Sequence, residues 1–361
     1  MPEPSPRGFQ ARGAHLVGSV PLASANAVFR VVGEALPEHL RRISDGETGV
    51  RSNWIAWQEA IFRGHPDLAE TDAARVDGQY ESWVRSRFSP RPGIDPATLR
   101  FGELGYAEHA LCSYAEFRAA REAGAVPDHW RFMVALPTPL APVIRFIEAD
   151  HRAAVEPAYE VAMLAELATI TAGVPHGELA IQWDAPHEIG IWEDHLPPFF
   201  KGDPRKETVA RLARLAAAVP DKVELGFHLC YGDAQHRHFM QPKDSGIAVA
   251  LANAISEAVV RPIDWLHLPV PRDRTDDAYF APLTELRLHP ETELYLGLVH
   301  LTDGVAGTRK RIRAASRYRV AFGVATECGF GRRPPGDIPA LLRIHRDVAA
   351  PDPKPAPRGT R

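Results

Sequence analysis

The chain is 361 residues long, 45% hydrophobic and 24% charged, with a formal net charge of −4. Such a composition fits a globular protein built as one large α/β barrel or two ordinary domains, with a core that needs no disulfide or metal to hold it. The near-neutral charge argues against a nucleic-acid or anionic-membrane partner, and no stretch of about 20 apolar residues could span a membrane.

Residues 1–12 are polar and Pro-rich, lack the apolar segment of a secretory signal, and are expected to be disordered. The run 15–19 (HLVGS) reads as a strand, followed by an amphipathic helix over 24–35 with Ser24 as N-cap. A more polar run at 40–44 (LRRIS) reads as a second strand. Residues 45–130 carry Trp54, Trp57, Tyr80 and Trp83, with helical signals at 53–62 and 106–122. They are expected to form helical decoration at the mouth of the fold, with Cys112 structural in its second helix. Strands then follow at 131–136, 178–183, 223–229, 263–268, 293–299 and 319–325. Between them lie helical stretches at 151–173, 204–218, 244–258 and 304–317, the last opening at Asp303. The tail, 349–361, is rich in Pro and charge and is expected to be disordered.

Eight near-continuous apolar runs alternating with helices predict a single (β/α)8 TIM barrel over 13–348 with a helical insertion after strand 2. A doubly wound open sheet is the rival, but no G-x-G-x-x-G follows the first run. In a barrel, reactive residues gather at the C-terminal ends of strands. Ser19, Asp45, Glu47, Asp184, His228, Cys230, His300, Glu327 and Cys328 all fall at or just beyond such ends, and His267 lies in the sixth strand. That clustering points to an enzyme.

His228 and Cys230 stand two apart, so they project to the same side and can reach one ion. Alone, H-x-C is equally a core histidine beside an inert thiol. Cys328 at a second strand end favours a Cys2His zinc site with an open fourth position. The three cysteines are too few for a disulfide framework and fit a reducing, cytoplasmic setting. His236 and His238 read as a solvated loop, and the basic runs Arg309–Arg313 and Arg332–Arg333 as solvated charges.

Six motifs in order resemble the C-terminal catalytic barrel of cobalamin-independent methionine synthase, within the uroporphyrinogen decarboxylase-like barrel superfamily. They are VGSVPL at 17–22, DGETGVR at 45–51, IQWDAP at 181–186, HLCYGD at 228–233, VHLTDG at 299–304 and ECGFGRR at 327–333. The resemblance implies that His228, Cys230 and Cys328 bind Zn2+. It implies that Ser19, Glu47, Asp184 and Arg51 bind the substrate thiol, the acidic groups holding its ammonium. It gives His300 a part in proton transfer at the methyl donor, and Asp184 a catalytic part as well. Where the family has a glutamate ligand this chain has Leu268. His267 is the neighbour that could substitute, although adjacent strand residues point opposite ways.

The expected function is zinc-dependent methyl transfer to a thiol, the donor being a folate, a corrinoid or another small molecule, with no nucleic-acid or membrane partner and the oligomeric state open. The alternatives are a metal-assisted lyase, decarboxylase or hydrolase on the same barrel, or a small-molecule-binding barrel without catalysis.

Overall fold

Strands and helices alternate along the chain and wind into a barrel in the computed structural model, which describes residues 9–71, 86–233 and 238–352. Eight parallel strands form one sheet: Ala14–His15, Arg42–Ser44, Arg131–Pro137, Leu179–Ala185, Glu224–Leu229, Trp265–Pro269, Glu293–Val299 and Gly323–Thr326. They are called first to eighth below. From the second onward each pairs with the next, and the eighth pairs with the first. The seam between first and second is closed by single contacts: Ala14 N–H donates to His39 O at 2.7 Å, Val20 N–H to Gly46 O at 2.8 Å, and the Ser44 hydroxyl to Gly18 O.

Side chains alternate between two environments. Leu179, Ile181, Trp183, Leu225, Phe227, Leu229, Leu266 and Leu268 pack in the large core between strands and helices. A smaller apolar set fills the barrel itself: Val17, Met133, Ala180, Trp265, Tyr295 and Ala325. Gly226 makes room for it, since a Cβ there would lie 1.9 Å from the Trp265 indole. Between these residues the interior is polar. His15 Nε2 lies 2.8 Å from Gln182 Oε1, and the Gln182 amide donates to Val17 O at 2.5 Å and to Asp184 Oδ1 at 2.9 Å.

The polarity of the second strand has a cause at the opposite end of the barrel. Arg42 is 3% exposed, lies over the Trp265 ring at 4.2 Å, and pairs with Glu224 at 2.5 Å and Glu293 at 2.9 Å. Arg41 pairs with Glu293 and with Asp352, the latter at 2.5 Å. This ionic plug takes the place of an apolar bottom layer, and buried pairs of this kind demand that every partner be present.

Ser24 caps helix Ala25–Ala35 as expected, accepting from Ala27 N at 3.2 Å. The helices Arg152–Gly173, Pro204–Ala217, Gly246–Ala258 and Gly304–Ala315 lie where the periodicity put them. Five expectations need correction. Ala11–Arg12 and Ala349–Ala350, placed in disordered ends, form a two-stranded parallel sheet. The insertion after the second strand is not only helical: Leu68–Thr71 pairs antiparallel with Arg87–Pro90. Tyr80 and Trp83 lie outside the described residues. Asp303 makes no capping hydrogen bond; it pairs at 2.7 Å with Arg311, which is fully buried rather than solvated. Cys112 is exposed on helix Tyr106–Glu122 and supports no core.

Candidate metal centre

The fifth strand carries His228 to the top of the barrel, and Cys230 follows just past its end. Cys328 follows the eighth strand. One ligand atom from each lies within 4.8 Å of the others, the only such cluster among the described residues. The two sulfurs are 3.8 Å apart, and Gly232 N–H donates to Cys230 Sγ at 3.1 Å. The shared hydrogen with Cys328, together with burial, holds the Cys230 thiol well above its ordinary pKa. Burial, with His267 alongside, drives His228 well below the usual histidine range, so its ring is neutral. His228 Nδ1 lies 2.7 Å from His267 Nδ1. That leaves Nε2 for a metal, and this nitrogen is buried with no hydrogen-bond partner among the described residues.

A neutral imidazole and two thiols around one point, with one nitrogen otherwise stranded, fit a zinc ion. The structure corrects the reading of the sixth strand. Leu268 packs outward among the helices, and His267 is the residue that faces the interior beside His228. His267 is no ligand in this arrangement, because its Nε2 is spent on Thr326 O at 3.0 Å and its Nδ1 on His228.

An open pocket of about 670 Å³, counting the solvent at its mouth, adjoins the cluster. Ser19, Glu47 and Asp184 line it, as do Trp54, Asp233 and Arg332. The Glu47 backbone is left-handed (φ 49°) and follows Gly46 at φ 76°. Asp45 holds this turn by accepting from Glu47 N at 2.8 Å, and Arg51 grips Asp45 at 2.5 Å. Arg51 is therefore a brace behind Glu47 and is not among the pocket-lining residues. Burial raises the Glu47 carboxyl to about 7. Burial and the nearby Glu47 raise Asp184 well above the carboxylate range, which the Gln182 amide and Trp54 indole only partly offset. Two acids that resist ionising side by side are prepared to take a cation between them. Ser19 Oγ accepts from Gly331 N at 3.2 Å, and Ser19 O accepts from Phe330 N at 2.6 Å, so it also docks the Cys328 loop.

His300 does not line the pocket. It is 3% exposed, with Nε2 2.9 Å from Val270 O and Nδ1 3.7 Å from Glu327. Glu327 also meets His238 at 3.0 Å, and His238 is buried rather than solvated; His236 lies outside the described residues. Arg332, read as a solvated charge, is in the pocket wall with its guanidinium 3.7 Å from Asp233. Its place four residues after Cys328 was the signal available. Trp54 also gave a signal, as a tryptophan soon after the Glu47 turn. It lines the pocket with a left-handed backbone (φ 47°) and stacks on His187 at 6.2 Å.

No family model matches the chain, and no curated protein matches it in sequence. Solved structures do. One, assigned as a vitamin-B12-independent methionine synthase from Listeria monocytogenes, is 15% identical with a TM-score of 0.52, over 94% of this chain and 99% of that one. A B12-independent methionine synthase from Shewanella sp. W3-18-1, solved in complex with selenomethionine, is 14% identical with a TM-score of 0.60, over 93% of this chain and 96% of that one. The chain shares the fold of these methionine synthase barrels. A methyltransferase from Methanosarcina mazei has it too, at 11% identity and a TM-score of 0.50, over 94% of each chain. At such identities what is common is the architecture, which bears out the barrel and leaves the chemistry to the residues.

Proposed function

We propose that the protein is a zinc-dependent methyltransferase that methylates a small thiol. The observation that carries this reading is the cluster of His228, Cys230 and Cys328, with a stranded imidazole nitrogen, opening onto a pocket that holds two proton-retaining acids. The fold it shares with methionine synthases and a methyltransferase supports the same reading.

His228, Cys230 and Cys328 would hold the ion, leaving its remaining position toward the pocket. Zinc held there supplies the positive charge that lowers the pKa of a substrate thiol into the neutral range. The chain's own residues do the rest. Glu47 and Asp184 release their protons when an ammonium group arrives, and the ion pairs so formed orient the substrate. Trp54 walls the pocket and reduces its water, which strengthens those pairs. Arg332 offers a cation for an anionic group on either substrate. His300 enters as a group that orients Glu327 rather than one facing the substrate. The thiolate sulfur then attacks the methyl carbon: the S–C bond forms as the donor–C bond breaks, and the donor leaves with the electron pair. We place the enzyme in the cytoplasm, where thiols stay reduced.

The test is direct. The zinc-loaded protein is mixed with homocysteine or other small thiols and with folate, corrinoid or sulfonium methyl donors, and products are read by mass spectrometry. A thioether heavier by one methylene than its thiol supports the proposal. Stoichiometric zinc with no methylated thiol from any donor would remove it.

A further inference from the structure

We infer that His267 is a positioning residue that sets the tautomer of His228, leaving His228 Nε2 free of hydrogen and ready to coordinate a metal. The inference rests on the metal-binding part of the proposed function but not on methyl transfer.

A backbone carbonyl can only accept, so the nitrogen 3.0 Å from Thr326 O, His267 Nε2, must carry a hydrogen. His267 is fully buried inside the barrel and its two ring nitrogens face only Thr326 O and His228 Nδ1, so no acid stands against it to hold a second hydrogen, and the neutral ring carries one. Its Nδ1 is therefore a bare lone pair. That lone pair is 2.7 Å from His228 Nδ1, a hydrogen-bond distance that demands a donor on the facing atom. His228 must supply it, and its own ring, buried with no acid against its other nitrogen, holds a single hydrogen as well. Its single hydrogen sits on Nδ1, and Nε2 is left as the unpartnered atom already noted. Free imidazole side chains in water favour the opposite tautomer, so the protein has to impose this one. The reverse polarity, with His267 donating from Nδ1, would set a lone pair against Thr326 O.

Thr326 joins both halves of the centre. While its carbonyl fixes His267, its hydroxyl donates to Cys328 O at 2.6 Å and holds the loop that brings the second sulfur. The pairing of His228 with His267 across the fifth and sixth strands keeps the two rings 4.7 Å apart.

The experiment uses the full-length protein, metal-free and under reductant, labelled with 15N-histidine. Long-range proton–nitrogen correlation spectra report which ring nitrogen carries hydrogen, with His228→Gln and His267→Leu used for assignment. The expected result is Nδ1–H for His228 and Nε2–H for His267. In His267→Leu the His228 ring should move to mainly Nε2–H, and zinc affinity by chelator competition should fall about 10–100-fold, the usual range for such outer partners. His267→Asn, whose amide oxygen can accept from Nδ1–H, should recover part of that loss. Wild-type His228 carrying its hydrogen on Nε2 would overturn the inference. So would zinc affinity unchanged in a folded His267→Leu protein. If that variant does not fold, the wild-type spectrum alone decides. A correct tautomer in an enzyme that methylates no thiol would leave this inference standing and defeat the proposed function.

Discussion

Cys230 Sγ and Cys328 Sγ lie 3.8 Å apart although 98 residues separate them in the chain. Only the closing of a barrel, with the fifth and eighth strand ends meeting above its axis, brings them together. With His228 they should bind about one zinc per chain. Cys230→Ser and Cys328→Ser are each expected to lose most of it, while Cys112→Ser, altered on an exposed helix face, keeps it. Elemental analysis of the purified variants checks this, and equal loss from Cys112→Ser would show that the wrong thiols had been assigned.

The acid pair predicts a pH dependence for ligand binding. Glu47 in the empty pocket keeps its proton up to about pH 7 instead of the ordinary 4.5, because it is buried. Binding of an ammonium group needs that proton gone, so affinity should rise as pH passes upward through about 7. Calorimetry with methionine, which has no thiol to confuse the titration, reads this directly. Glu47→Gln should flatten the rise, and a pH-independent wild type would contradict the assignment.

The same shift has the opposite sign for stability. The folded state binds a proton that the unfolded chain has already released between pH 4.5 and about 7. The Glu47 contribution is therefore fully present below 4.5 and is lost as pH rises through about 7. Denaturant melts of the ligand-free protein should show this fall, and Glu47→Gln should remove that part of it.

Much of this was legible in the amino-acid sequence. Outward-facing residues such as Ile181, Phe227 and Leu266 make the strands read as apolar runs, and reactive residues at their ends mark the top of the barrel. Parity was not legible in those runs. In IDWLHLPV nothing shows whether His267 or Leu268 faces inward; that is decided by Trp265, whose indole needs the space left by Gly226 on the neighbouring strand. Arg332 and Arg42 were obscured for a related reason. A basic dipeptide shows no partner until the acids that bury it, Asp233 for one and Glu224 with Glu293 for the other, arrive from distant parts of the chain.

The ionic plug carries its own prediction. Arg42→Met leaves Glu224 with only the more exposed Arg131 and Glu293 with only Arg41, and should cost about 3 kcal/mol of stability, measured by urea unfolding. Zinc content of the folded fraction should stay unchanged, because the plug lies at the end of the barrel away from the metal centre. A stability loss under about 1 kcal/mol would mean the plug is solvated.

Trp54 separates binding from metal retention. Trp54→Ala opens the pocket wall beside Asp184 without touching a metal ligand. Thiol affinity should weaken by about 1.4–2.8 kcal/mol, roughly 10–100-fold, while zinc stays bound. Loss of zinc in this variant would place Trp54 in the metal centre's support instead.

The most direct measurement is spectroscopic. Cobalt(II) loaded in place of zinc should show visible bands of a tetrahedral site with sulfur ligands, and those bands should be lost in Cys328→Ser. Addition of the acceptor thiol should strengthen the sulfur-to-cobalt charge-transfer band as one more thiolate enters the open position. Cobalt that binds without sulfur bands, or a spectrum unmoved by homocysteine and every other small thiol tried, would contradict the account.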